Sequence, residues 1–93
     1  MNKIEIVKQI IRRVEASKVL DYHIWTIGMT DSPEKRLEQL AAEGNNLEKW
    51  EHWPADSLHD AEAIRHYFVD YLGMKDADFR NYESRNEVSV FIF

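Results

Sequence analysis

The sequence predicts an α+β fold in which a three-stranded sheet is packed by three helices. Two kinds of pattern support this prediction. Three segments repeat apolar residues with the spacing of an amphipathic helix, and three shorter segments are rich in β-branched and aromatic residues, as strands are. These segments follow one another in the order α-β-α-β-α-β. Because 93 residues are enough for one core and too few for two, we expect a single domain over residues 1–93.

Composition limits the function before any motif is considered. The net charge is −5, although residues 1–18 carry five basic and two acidic side chains. An acidic body lacks the dense basic face on which nucleic-acid affinity usually depends. The absence of cysteine excludes disulfides, thiolate metal sites and a cysteine nucleophile. No apolar run approaches the length of a membrane span, and the amino terminus is amphipathic rather than signal-like, so we expect a cytoplasmic protein with no membrane partner.

The first predicted helix runs from Asn2 to about Ser17. Asn2 can cap it, with Glu5 reaching back from the third position. Apolar residues recur along it with helical spacing, at Ile4, Val7, Ile10, Ile11 and Val14. We expect these residues to form a core face and the basic residues to form a solvated rim. The alternative is a helix whose basic residues face phosphate.

The first strand is predicted over Tyr22–Ile27, where β-branched and aromatic residues dominate both alternating sets. A turn follows at Gly28–Thr30. Ser32 as N-cap and Pro33 as the first helical residue then begin the second helix. This helix is expected to end at Gly44. Its predicted inner face consists of Leu37, Leu40 and Ala41.

A short second strand is predicted over Trp50–Ala55, where Pro54 ends it. Ser57 then caps a third helix, which ends at Gly73. The predicted inner face of this helix consists of Ala61, Ile64, Phe68, Tyr71 and Leu72. The chain closes with a strand over Val88–Phe93 that is apolar on both faces, which is typical of a strand inside a sheet.

In the segment from Thr26 to Arg36, a strand reaches Ile27 and Gly28, Thr30 follows in a turn, and Arg36 lies in the first turn of a helix. This order resembles the second half of the GIY-YIG nuclease signature. In a phosphodiester site, a turn of this kind exposes backbone donors and an arginine pairs with phosphate oxygens. The resemblance therefore implies that Gly28, Thr30 and Arg36 bind phosphate. The alternative is that the segment is simply a good helix start.

Most of the catalytic residues that the resemblance implies are missing. Thr26 stands where the family has the tyrosine of its second motif, and Leu40 stands where a histidine often follows. Arg65 takes the place of the metal-binding glutamate, and a cation repels Mg²⁺. Glu62 lies one helical turn earlier, about 4–5 Å away along the axis. We expect no metal site and no cofactor, and Mg²⁺ enters only if the chain is a nuclease.

The predicted helix at the amino terminus occupies the stretch where the family has its first strand. We therefore expect the C-terminal strand to replace that strand in a GIY-YIG-like sheet. If the C-terminal strand pairs beside the first strand of this chain, the order across the sheet is 48–55, 22–27, 88–93.

Two functions from different classes remain open. The first is a non-catalytic GIY-YIG-like binding or interaction module. Its partner is a protein or a nucleic acid, with weak nucleic-acid contact through Gly28, Thr30 and Arg36. The second is a metal-dependent DNA endonuclease with a rearranged active site that uses Arg36 and Glu62.

Histidines, tryptophans and one polar stretch are further candidates. His66 has carboxylates four residues away on either side, which favours surface pairing over a zinc or nickel site. Trp25 is expected in the core. Trp50 and Trp53 are three residues apart and therefore point to opposite faces, so one of them could stack on bases. The stretch 74–87 is expected to be disordered or, alternatively, to form a binding loop.

Overall fold

The computed structural model describes residues 1–17, 21–77 and 88–93, and within them it has three helices and a four-stranded sheet. The helices are α1 (Lys3–Ala16), α2 (Pro33–Ala42) and α3 (Leu58–His66), and a π-helical segment (Tyr67–Tyr71) continues α3. The strands are β1 (Thr26–Thr30), β2 (Glu51–Pro54), β3 (Lys75–Asp76) and β4 (Ser89–Ile92). The predicted α+β class is confirmed, with one strand more than expected.

The strands lie in the order β2-β4-β1-β3. β4 pairs antiparallel with β1 and with β2, and β3 pairs parallel with β1. The C-terminal strand thus lies beside β1, as predicted, but the predicted order 48–55, 22–27, 88–93 is wrong because β4 lies between the other two. All four residues of β4 are buried. Buried backbone N–H and C=O groups need hydrogen-bond partners, and a strand in the middle of a sheet finds them on both edges.

The prediction of three strands is wrong because it missed β3. This strand has only two residues, Lys75 and Asp76, and both are exposed. It is held beside β1 by backbone hydrogen bonds from Lys75 N–H to C=O of Trp25, the residue just before β1 (2.9 Å), and from Ala77 N–H to Ile27 C=O (3.0 Å). Two consecutive polar residues show no alternation of apolar and polar side chains, so the sequence does not predict this strand.

Helices cover both faces of the sheet. β4 is antiparallel to both β1 and β2, so β1 and β2 run in the same direction. β3 also runs in this direction, because it pairs parallel with β1. The connections β1-α2-β2 and β2-α3-β3 therefore cross the sheet in opposite directions. Right-handed crossovers in opposite directions place α2 and α3 on opposite faces. The main core lies on the side of α1 and α3, and Leu40 and Phe91 are buried outside it.

The first strand begins four residues later than predicted, because Tyr22–Ile24 forms a 3₁₀ turn. The Asp21 carboxylate accepts a hydrogen bond from His23 N–H (2.9 Å). Local hydrogen bonds of this kind compete with strand formation. The predicted turn at Gly28–Thr30 is wrong as a consequence, since these residues belong to β1 and pair with β4.

Gly28 marks a close approach inside the sheet. A Cβ atom at this position would lie 2.5 Å from Cζ of Phe91 and 2.8 Å from Cβ of Ala77. Both distances are shorter than van der Waals contact. Glycine inside a strand often marks such an approach, so Gly28 is needed for packing rather than for a turn.

The buried face of α1 differs from the predicted one. Ile6, Ile10 and Val14 are fully buried, whereas Ile4, which was predicted to lie in the core, is 65% exposed. With 3.6 residues per turn, Ile4 points about 160° away from Ile6 around the helix axis. The prediction for Ile4 is therefore wrong, because the core contacts a row centred on Ile10.

The inner faces of the other two helices also differ from prediction. On α2, Leu40 is buried as predicted, but Arg36 and not Ala41 joins it. After α3, Tyr71 was predicted to lie in the core and is 75% exposed. The π-helical segment Tyr67–Tyr71 has more residues per turn than an α-helix, so it turns Tyr71 out of the buried row.

Helix caps give a first testable prediction. Ser57 Oγ accepts a hydrogen bond from Asp60 N–H (3.1 Å), whereas Ser32 makes no side-chain cap bond within the described part of the chain. We expect Ser57→Ala to lower the free energy of unfolding by about 1 kcal/mol because it removes this bond. Ser32→Ala is the matched control and should change it by less than about 0.5 kcal/mol. Urea denaturation measures both, and equal losses would contradict the assigned caps.

Candidate functional site

Two of the predicted phosphate-binding residues lie inside the sheet. Gly28 is buried beneath the Phe91 ring. Thr30 is 2% exposed, and its Oγ1 accepts a hydrogen bond from Ser32 N–H (3.1 Å). Both residues pair with β4. They therefore belong to a strand and not to a turn that presents N–H groups to a ligand.

Arg36, the third predicted phosphate contact, is also buried. It is 9% exposed, and its Nη1 donates a hydrogen bond to Gln39 Oε1 (3.2 Å) on the same helix. An arginine that binds phosphate presents its guanidinium group at an open surface. In this arrangement Arg36 does not present its guanidinium group to a phosphate at the surface.

The two residues on which an endonuclease would depend lie on opposite sides of the sheet. Glu62 is exposed on α3, whereas Arg36 is on the inner side of α2. The structure thus does not bring them together at one site. Arg65, which takes the place of the family's glutamate, forms an ion pair with Asp76 of β3 (Nη1–Oδ2, 2.8 Å). This pair ties α3 to the edge of the sheet.

His66 makes the surface pair predicted for it, whereas His23, predicted to lie on a strand, is in the 3₁₀ turn before β1. His66 pairs with Asp70 four residues later on an exposed face (Nδ1–Oδ2, 2.6 Å), which confirms the predicted surface pairing. The His23 ring packs against Gly73. Among the residues that the structure describes, no group of three or more His, Asp or Glu side chains could hold a metal ion.

Tyr22 is the phenol nearest in sequence to the predicted motif. Burial raises the pKa of its hydroxyl above the ordinary value, and the nearby Glu15 and Tyr67 raise this pKa further. The phenol therefore stays protonated at neutral pH. Its ring packs on Phe68 (6.2 Å between centroids), so Tyr22 contributes to the core rather than acting as an activated base.

The tryptophans lie where the sequence places them. Trp25 and Trp53 are 1% and 6% exposed and belong to the main core. Trp50 is on the other face, where it stacks on Phe91 (4.8 Å) and Phe93 (6.4 Å). The prediction of opposite faces for Trp50 and Trp53 is confirmed. Of the polar stretch 74–87, residues 78–87 lie outside the described residues.

An apolar groove lies at the surface between α1 and the helix formed by α3 and its π-helical continuation. Its volume is about 430 Å³. Residues that line it include Lys3, Ile4, Val7 and Lys8 on one wall and Ala63 and Tyr67 on the other. Ile4 is 65% and Tyr67 is 38% exposed, so the groove is open to solvent along its length. Apolar side chains in this position can bind another apolar surface.

The groove forms because α1 carries more apolar surface than one buried face requires. Its six Ile and Val residues span about 160° around the helix, beyond the stripe of about 100° typical of a surface helix. Ile6, Ile10 and Val14 fill the buried part of this arc, which leaves Ile4 and Val7 at its edge. The groove was not predicted from the sequence, and the wide arc of apolar residues on α1 is the signal that could have predicted it.

Two tyrosines extend the apolar surface beyond the groove. Tyr67 and Tyr71 lie at the two ends of the π-helical segment, with their ring centroids 5.9 Å apart. Tyr71 is 75% exposed. π-Helical segments are rare and are frequent at functional sites. This segment is thus a second feature that distinguishes the same surface.

Two lysines give the groove a positive edge. In the part of the chain that the structure describes, neither Lys3 nor Lys8 has an acidic partner within ion-pair distance. By contrast, Arg13 of the same helix pairs with Glu51 of β2 (Nε–Oε1, 3.6 Å). The groove therefore combines apolar walls with cations that remain available to a partner.

No family model, curated protein or solved structure matches this chain. The resemblance to GIY-YIG nucleases rests on the segment from Thr26 to Arg36 and stays a prediction. Within the described residues, no helix is both long and apolar enough to cross a membrane.

Proposed function

We propose that this chain is a non-catalytic binding module whose partner is a protein, and that an apolar segment of the partner binds between α1 and α3. The observation that carries the proposal is the exposure of Ile4 and Tyr67 in one groove, with the exposed Tyr71 ring 5.9 Å from the Tyr67 ring. Contiguous apolar surface in a soluble domain often marks an interaction site. Covering it gains about 25 cal/mol per Å² of apolar area, which supplies the driving force for binding.

The geometry gives less support to a catalytic role. An endonuclease built on Arg36 and Glu62 needs both side chains and Mg²⁺ at one phosphodiester, yet the sheet separates them. Weak nucleic-acid contact through Gly28, Thr30 and Arg36 would require buried groups to become exposed on a protein of net charge −5. We therefore assign the segment that resembles the GIY-YIG signature a role in folding.

The proposal predicts that a bulky side chain in the groove wall blocks binding. The probe is a fluorescein-labelled helical peptide of about 18 residues, long enough to be helical, with leucines on one face and glutamines beside them. Fluorescence anisotropy measures its binding to the full chain. Ala63→Trp fills the groove, so we expect about tenfold weaker binding. The matched control is Ala42→Trp on the exposed face of α2, which should bind as the wild type does.

Two results would count against the proposal. One is peptide binding that Ala63→Trp leaves unchanged while circular dichroism shows a folded variant. The other is cleavage of a labelled DNA duplex in the presence of Mg²⁺ that is lost in both Arg36→Ala and Glu62→Ala. The second result would establish an endonuclease in place of a binding module.

A further inference from the structure

We infer that the groove binds an amphipathic helix whose apolar face is flanked by Asp or Glu side chains. This inference rests on the proposed function, because it names the kind of protein segment that the module binds. The shape of the groove supports a helical partner, and the charge at its edge supports an acidic one.

The shape of the groove fits a helix. It runs between two helices, and its α1 wall presents Ile4 and Val7 one helical turn apart, facing Ala63 and Tyr67 on the other wall. Helix-in-groove recognition matches such rows with apolar residues at i, i+3, i+4 and i+7 of the partner. Because Ile4 is 65% exposed, a small apolar ligand would leave one side in water, whereas a helix covers the groove along its length.

The charge at the edge of the groove favours an acidic partner. Lys3 and Lys8 both line it, and within the described ranges neither has an acidic partner within ion-pair distance. The amino-terminal region is the basic part of an otherwise acidic chain, with five basic and two acidic side chains in residues 1–18. Charges at the rim of an interface select partners and set their orientation more than they add affinity. Acidic side chains beside the apolar face of a helix would meet these lysines, and basic ones would be repelled.

Charge argues against a second copy of this chain as the occupant, and exposed area argues against a small molecule. In a two-fold dimer formed through this groove, Lys3 and Lys8 of one copy would face the same lysines of the other copy and repel them. A small anionic amphiphile matches the lysines, but it would leave much of the exposed Ile4 and Tyr67 surface uncovered. A longer acidic segment satisfies both the charge and the area.

Three matched peptides test the inference. They share the leucine face and differ only in the flanking residues, which are Glu, Gln or Lys. In anisotropy titrations with the full chain, we expect the Glu peptide to bind about threefold to tenfold more tightly than the Gln peptide, and the Lys peptide to bind most weakly. At about 0.5 M NaCl the three affinities should converge, because salt screens exposed charges.

Two double variants with the same net charge test whether the preference for acidic peptides comes from the lysines of the groove. Lys3→Glu combined with Lys8→Glu should reverse the order of the three peptides. Lys35→Glu combined with Lys75→Glu changes the net charge equally at exposed positions that do not line the groove, and it should keep the order.

Each contrary outcome has a distinct meaning. Equal binding of the three peptides would overturn the inference and leave the proposed binding module standing. If none of the three binds, both are overturned. Binding of sodium decanoate without binding of any peptide would assign the groove to a small amphiphile. Sedimentation showing a dimer that Ile4→Glu dissociates would assign it to a second copy. Both of these results contradict the inference.

Discussion

Replacing Ile10 with alanine is expected to lower the free energy of unfolding by about 3 kcal/mol. Ile10 is fully buried at the centre of the α1 face that packs into the main core. The substitution removes three carbons from a packed core and leaves a cavity behind. Urea denaturation of the full chain, analysed with a common slope, measures the loss.

Ile4 provides the control for this prediction. It is the same residue type on the same helix, but it is 65% exposed. We expect Ile4→Ala to change the free energy of unfolding by less than about 0.5 kcal/mol. The contrast tests the orientation of α1 and therefore the exposure of the groove. Equal losses for the two variants would mean that Ile4 lies in the core and that the groove is not open.

Replacing Gly28 with valine is the second large expected effect. The new Cβ would lie 2.5 Å from Phe91 Cζ and 2.8 Å from Ala77 Cβ, so the sheet and the ring must shift to accommodate it. Overpacking of this kind costs about 1–3 kcal/mol, and we expect Gly28→Val to reach or exceed the upper value. Thermal or urea denaturation measures this loss.

Gly44 is the control that distinguishes the cost of steric overlap at Gly28 from the cost of backbone strain. A Cβ at Gly44 meets no atom of the described residues within 4 Å, but its φ is +86°. Gly44→Ala should therefore lower the free energy of unfolding by only about 1 kcal/mol, from the left-handed backbone alone.

Phe91→Leu tests the steric overlap at position 28 directly, because it removes the ring atom that obstructs this position. It should recover about 1 kcal/mol of the loss in a Gly28→Ala background. A fully stable Gly28→Val variant would show that β1 and β4 do not approach closely at this point.

Local signals in the sequence were sufficient to predict the helices. Asn2 and Ser57 each accept a hydrogen bond from the backbone N–H three residues later, as their positions before apolar periodic segments indicate. Pro33 begins α2, and Gly44 and Gly73 have the positive φ expected at helix ends. Helix starts and stops depend on neighbours within one turn, so a single sequence contains them.

The strand order and the groove depend on contacts between distant segments. The short strand at Lys75 and Asp76 is defined by its pairing with β1. The middle position of β4 is favoured by its burial on both faces. Position 28 illustrates the same limit. A glycine before a helix start indicates a turn, and only the position of Phe91 shows that it serves close packing. Ile4 likewise belongs to an apolar set whose buried part is decided by how α1 packs in the core, with α3 as a neighbour.

Amide chemical-shift mapping of the Glu peptide on the ¹⁵N-labelled full chain tests the central claim, that partners bind between α1 and α3. We predict that the largest shift changes occur at Val7, Lys8 and Tyr67, which line the groove, and that residues 28–36 change little. Largest changes at residues 28–36 with an unchanged groove would contradict the account, because binding would then involve the segment that resembles the nuclease signature.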